Sequence, residues 1–166
     1  IKKDLEWLVK HKPENVIIEN HSDQYSLIAL QGPKSRKILS QFTDANLNLK
    51  FYSYVDAIVC GHPVMLSRTG YTGELGFEIY ASSLAIIDIW KAFQNIGVTP
   101  CGLASRDILR MEMKYCLYGN DINQNTNPIE AGLSWITDLS KNNFIGKSVI
   151  LSTKENKPNK CLVSFE

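Results

Sequence analysis

The sequence predicts an α+β fold, with an antiparallel or mixed sheet and helices around a ferredoxin-like βαββα core. Short apolar runs of strand type and stretches of helical spacing follow one another in the order strand, helix, strand, strand, helix. Gly and Pro separate them at Gln31-Gly32-Pro33, Gly61-His62-Pro63 and Gly97. Helices mixed with an antiparallel sheet in this way argue against a doubly wound fold.

The elements follow in order. Residues 3–12 carry Leu5, Leu8 and Val9 at helical spacing with Trp7 beside them, and Pro13 stops the helix. Val16-Ile17-Ile18 reads as a short strand and Ser22-Asp23 as a turn. Ser26-Leu27-Ile28-Ala29-Leu30 reads as a buried strand. Gln31-Gly32-Pro33 breaks it, and Pro33 suits the first turn of a helix over residues 35–42 carrying Ile38, Leu39 and Phe42. Residues 52–60 form a strand with Val55, Ala57 and Val59 on one side, Gly61-His62-Pro63 turns the chain, and Val64-Met65-Leu66-Ser67 is the next strand. A glycine-rich stretch at 70–76 leads to the strand Phe77-Glu78-Ile79-Tyr80, whose alternation puts Phe77 and Ile79 on one face and Glu78 and Tyr80 on the other. Ser82-Ser83 caps a helix over 84–96, with Ile86, Ile87, Trp90 and Phe93 as its buried stripe and Gly97 as its end. A second helix spans 103–115, Ser134-Trp135-Ile136 reads as a strand, and Phe144-Ile145-Gly146-Lys147 precedes a short helix. Residues 154–160 read as a linker, and Cys161-Leu162-Val163-Ser164-Phe165 as a strand that the sequence ends too soon to pair.

At 166 residues the chain corresponds to roughly one domain. Eighteen basic against seventeen acidic residues give a net charge of +1, which leaves no excess to hold a phosphate backbone. No apolar run approaches the roughly 18 residues of a membrane span, and the first residues lack the apolar stretch of a signal peptide. The first residue is Ile rather than Met, which suggests a fragment. Cys60, Cys101, Cys116 and Cys161 form no Cys-x-x-Cys pair, and they read as free thiols of a reducing compartment. The chain has no P-loop, no Gly-x-Gly-x-x-Gly and no His-Glu-x-x-His, and no metal site is expected.

Three stretches could carry chemistry. In residues 68–80, Gly70, Gly73 and Gly76 permit positive φ and close backbone approach around Tyr71, with Glu78 following in a strand. The stretch reads either as a wide hairpin loop with a solvent-facing Glu78 or as room for a flat ligand whose two parallel N–H donors Glu78 accepts. In Ser105-Arg106-Asp107-Ile108-Leu109-Arg110-Met111-Glu112, Arg106 and Arg110 share a helical face. They read either as a solvated edge paired with Asp107 and Glu112 or as an anion clamp. The aromatics of Tyr115-Cys116-Leu117-Tyr118 read first as core.

Together with Leu30-Gln31-Gly32-Pro33-Lys34, Leu117-Tyr118-Gly119-Asn120-Asp121 and Pro128-Ile129-Glu130-Ala131-Gly132-Leu133-Ser134-Trp135, these blocks resemble the aminomethyltransferase (T protein) family of the glycine cleavage system, over essentially the whole chain. The resemblance implies a reaction in which a lipoylated H protein delivers an aminomethyl group and the one-carbon unit passes to tetrahydrofolate with release of ammonia. It implies that folate sits in a cavity between three domains. It places Glu78 on the pterin ring, Tyr71 in the same pocket and Arg106 on folate. Tyr115 falls where members carry either tyrosine or an aliphatic residue, and Tyr52 is a weaker candidate. A carboxylate suits the pterin, whose amino group and ring N–H are adjacent donors.

The family's catalytic aspartate falls upstream of Ile1 and its C-terminal barrel beyond Phe165, so no catalytic residue is nominated here. Residues 1–153 are then the folate-binding region, 154–166 are a linker with the first barrel strand, and these 166 residues alone are expected to lack turnover. The implied setting is the bacterial cytoplasm, or the mitochondrial matrix in a eukaryote. Two further classes stand beside this reading. One is a non-catalytic folate-binding module, related to iron–sulfur cluster maintenance proteins or demethylating oxidases. The other is a stable folding unit without a formed site.

Overall fold

In the computed structural model, which describes residues 1–164, β1 (Ser26–Gln31), β2 (Tyr54–Val59), β3 (His62–Ser67) and β4 (Gly76–Ala81) form one antiparallel sheet in the order β1-β4-β3-β2. The helices are α1 (Lys2–His11), α2 (Ser35–Leu39), α3 (Ser83–Asn95), α4 (Leu103–Glu112) and α5 (Lys147–Asn156). The α+β class holds. Three strands follow α2, so the first part reads βαβββα, one strand more than the βαββα core. The chain divides into two compact units, Ile1–Cys101 and the residues from Gly102 onward, a boundary the sequence reading does not draw. Among the described residues no helix is long and apolar enough to cross a membrane.

In the first unit, period-two alternation builds the core. Ile28, Leu30, Val59, Val64, Leu66, Phe77, Ile79 and Ala81 point to one side of the sheet, where Leu39, Leu47 and α3 cover them. Leu27 lies on the other side and is exposed, so the first strand is buried on one face rather than two. The β2–β3 turn is Cys60-Gly61, with φ of 52° and 81°, and Val59 pairs with His62. Two successive positive φ angles in a two-residue loop match the strands' twist, and they place His62 and Pro63 inside β3 rather than in the turn.

Helix α3 starts where Ser82 Oγ accepts from the Ala85 N–H at 3.3 Å, and it ends at Gly97 with φ of 83°. Its buried row is Ala85, Ile89 and Phe93, with Ile86 partly buried, while Ile87 and Trp90 are 49% and 42% exposed. The expected stripe is therefore turned about the helix axis. This helix is apolar on several sides, and the row that meets β1 and β4 is the i, i+4, i+8 row. Val16-Ile17-Ile18 is no strand, because no neighbour pairs with it, and Ile17 is 85% exposed.

The second unit buries only Arg110 and Ala131 among its described residues. Ser134–Ile136 is a 3-10 turn, not a strand. Helix α5 follows Gly146, whose φ is 90°, and runs to Asn156, into the expected linker. Asn127 Nδ2 donates to Thr153 Oγ1 at 2.7 Å and Leu162 N–H donates to the Glu130 carbonyl at 2.8 Å, which fastens the loop and the tail. Residues 161–164 belong to no ladder, and Phe165 lies outside the described residues.

Candidate functional site

The ladder register places Glu78 at the centre of the sheet face opposite the core. It pairs with Ala29 of β1 on one side and Ser67 of β3 on the other, and Ser67 pairs in turn with Tyr54. The next row reads Leu27, Tyr80, Met65, Asp56. Directly opposed residues of antiparallel strands share a face, so both rows surround the carboxylate. Leu27, Ala29, Tyr54 and Met65 are exposed, whereas Glu78 and Tyr80 are half-buried.

The carboxylate is oriented from within the chain. Thr69 Oγ1 donates to Glu78 Oε2, and Thr69 Oγ1 also meets Ser67 Oγ at 2.7 Å. Burial raises the Tyr80 phenol above its ordinary pKa, and the charge of Glu78 with a hydrogen bond to it adds to the rise. An ionised carboxylate has about four acceptor positions. The Thr69 and Tyr80 hydroxyls take two of them and leave acceptor capacity for two further N–H donors, the number that a ligand edge with two adjacent N–H groups would use.

The preceding loop is pinned at many points. Gly32 N–H and Ser35 Oγ donate to the Leu75 carbonyl at 2.7 and 3.1 Å. Arg68 donates to the Gly76 carbonyl at 3.1 Å while its guanidinium lies 5.5 Å from the Phe51 ring centroid and 5.7 Å from that of Phe77. Of the three glycines in the loop only Gly73 has a positive φ, 76°. At Gly70 and Gly76 a Cβ would overlap the side-chain amide of Gln31. The room that those two glycines leave is taken by the chain itself, not held open for a flat ligand.

Tyr71 is half-buried in this loop. Tyr52 is 73% exposed with a φ of 62°, and its N–H donates to the Arg68 carbonyl at 3.1 Å. Glu78, Tyr71 and Tyr52 thus belong to the first unit. A wide cleft of about 1440 Å³ in the same unit is lined by Tyr80, Met65, Asp56 and His62 but not by Glu78 or Tyr71. We place the candidate site at Glu78 because the oriented carboxylate is there.

In the second unit Arg106 is exposed on the second turn of α4, and Tyr115 is half-buried just after the helix. Arg110 does not join Arg106 in a clamp. Its side chain is 4% exposed, its Nε donates to Asp107 at 2.7 Å, and its Nη1 donates to Asp121 and to the Tyr115 carbonyl at 3.0 Å. Asp121 also accepts from the Leu117 N–H at 2.9 Å. Arg110 therefore closes the loop after α4, where Lys114 and Gly119 have φ of 59° and 97°. Its guanidinium is held above its ordinary pKa, first by the Asp107 hydrogen bond and also by Asp121.

Thr69 and Gln31 are not among the site residues that the sequence predicts. Tyr80 was within reach, since period two already places it beside Glu78.

Residues 1–141 match the family model described as the GCVT N-terminal domain. The chain is 45% identical over 171 residues to the aminomethyltransferase of Halothermothrix orenii, covering 100% of this chain and 48% of that protein. It is 44% identical over 173 residues to the aminomethyltransferase of Bacillus subtilis, again covering 100% and 48%. It thus spans about half the length of the curated relatives it matches. The crystal structure of the glycine cleavage system aminomethyltransferase T from Bartonella henselae superposes with a TM-score of 0.72 at 34% identity, covering 82% of this chain and 38% of that one.

Proposed function

The chain belongs to the GCVT N-terminal domain family, and on that premise we propose that it is the folate-holding part of an aminomethyltransferase of the glycine cleavage system. In this reading a one-carbon unit passes from the aminomethyl-lipoyl arm of H protein to tetrahydrofolate, and ammonia leaves. Tetrahydrofolate supplies the nitrogen nucleophiles that take up the carbon. Glu78 accepts the pterin amino group and ring N–H and Tyr71 borders the same ring, while for Arg106 and Tyr115 the folate role rests on the resemblance alone. Residues 1–153 are the folate-binding region, and 154–166 lead into a C-terminal barrel. The setting that goes with this reaction is the bacterial cytoplasm, or the mitochondrial matrix in a eukaryote.

The observation that carries the reading is the half-buried Glu78 carboxylate, oriented by the Thr69 hydroxyl on the sheet face away from the core. Fixing a carboxylate before the ligand arrives reduces the freedom lost on binding, and holding the carrier in one pose serves the transfer by positioning. The catalytic aspartate that the resemblance implies is not among these residues. The natural full-length polypeptide is therefore expected to release ammonia from aminomethyl-loaded H protein only when tetrahydrofolate is present, and residues 1–166 alone to release none. Ammonia release by the full-length polypeptide at the same rate without any folate would overturn the assignment.

A further inference from the structure

We propose that Gln31 is a positioning residue, an amide latch that sets the glycine-tyrosine loop in register with Glu78; its effect on ligand binding rests on reading Glu78 as the pterin acceptor. Gln31 ends β1 directly opposite Gly76, two residues along from Ala29, the partner of Glu78, so its side chain emerges on the Glu78 face. Its Nε2 donates to the Thr69 carbonyl before the loop and to the Phe77 carbonyl after it, both at 3.2 Å. Its Oε1 accepts from the Thr72 hydroxyl, in the loop's middle, at 3.3 Å. One half-buried amide therefore ties both ends and the middle of the loop.

The glycines agree with this. Neither Gly70 nor Gly76 has a positive φ, and at each the three atoms nearest to an added Cβ belong to the Gln31 amide. At both positions an added side chain would have to displace the Gln31 amide from its partners. Thr69, whose carbonyl the latch holds, is the residue whose hydroxyl orients the Glu78 carboxylate. Loss of the amide releases the Thr69 backbone and leaves its hydroxyl held by Ser67 alone, which loosens the carboxylate it orients. A glutamate at position 31 would set an oxygen in place of the donor against both carbonyls, and an asparagine is one methylene too short to span them.

The test uses the natural full-length polypeptide and has two arms. In the first, without ligand, Gly76→Ala lowers the thermal midpoint with Gln31 present and lowers it by clearly less in a Gln31→Ala background, because the overlap is gone there. Failure of Gln31→Ala to suppress Gly76→Ala overturns the latch. In the second, calorimetric titration with tetrahydrofolate reads Gln31→Met in the wild-type and Glu78→Ala backgrounds. The expected loss of affinity is about tenfold with Glu78 present and less than about twofold without it, the non-additivity of residues acting through one another. Equal losses in both backgrounds overturn the positioning role. If Gln31→Met does not fold, Thr69→Val, which removes only the linking hydroxyl, is read against the same backgrounds with the same expectation. If Glu78→Ala itself leaves binding unchanged, the folate reading of Glu78 and the positioning role built on it both fall, while the latch on the loop still stands or falls by the first arm.

Discussion

Replacing Glu78 with glutamine keeps the length and shape of the side chain and removes its charge and one acceptor. The Thr69 hydroxyl already occupies one lone pair on Oε2. Against two adjacent N–H donors a glutamine keeps one bond, now neutral, and turns an NH2 toward the other donor. A hydrogen bond to a charged group contributes about 1.5–3 kcal/mol. The side chain is half-buried rather than enclosed, so water offsets part of that, and a net loss near 2 kcal/mol is expected, or roughly 30-fold in Kd. The assay is isothermal titration of the full-length polypeptide with tetrahydrofolate at pH 7, for wild type and Glu78→Gln, with a circular dichroism melt to show that both are folded. A change of less than about threefold with the fold intact would mean that the carboxylate does not hold the pterin, since even one lost charged bond exceeds that.

The register of α3 predicts that Ile89→Ala, at a fully buried position, costs about 3 kcal/mol in urea unfolding, whereas Trp90→Ala costs less than half as much. The reverse order would place the buried row where the apolar pattern alone puts it. Because the folded Tyr80 phenol titrates above its ordinary value of about 10, the unfolded chain loses that proton first. Stability from Tyr80 is then fully present below pH 10 and falls as pH rises from there toward the folded value. Unfolding midpoints between about pH 9 and 11 should therefore drop more steeply in wild type than in Tyr80→Phe. Burial also pushes the Cys60 thiol up, so iodoacetamide at pH 8 should label exposed Cys101 well before Cys60, read by peptide mass spectrometry. Removing the Ser82 cap with Ser82→Ala should cost about 1 kcal/mol in the same urea assay.

Much of the first unit was readable because its signals are local. Alternation placed Phe77 and Ile79 in the core and Glu78 with Tyr80 outside it, as the burial pattern of β4 has them. Ser82 and Gly97 marked the ends of α3 through a cap and a left-handed residue, both of which act within one turn. The errors fall where a choice depends on a distant partner. Val16-Ile17-Ile18 has strand composition but no strand to pair with, and Ser134-Trp135-Ile136 winds into a 3-10 turn instead. Arg106 and Arg110 look equivalent at a spacing of four. Asp121, eleven residues beyond Arg110, draws Arg110 inward and makes it a strut of the loop, whereas Arg106 stays exposed.

The sequence by itself determined the α+β class, the glutamate on the polar side of its strand and the family, because periodicity, caps and motif blocks are written in consecutive residues. Only the tertiary structure decided what surrounds that glutamate. Pairing β1 with β4 brings Gln31 opposite Gly76, and the loop's return brings Thr69 onto the carboxylate. Those meetings join positions 31, 69 and 78, and no local pattern encodes them, since register is fixed by which side chains the whole sheet buries together.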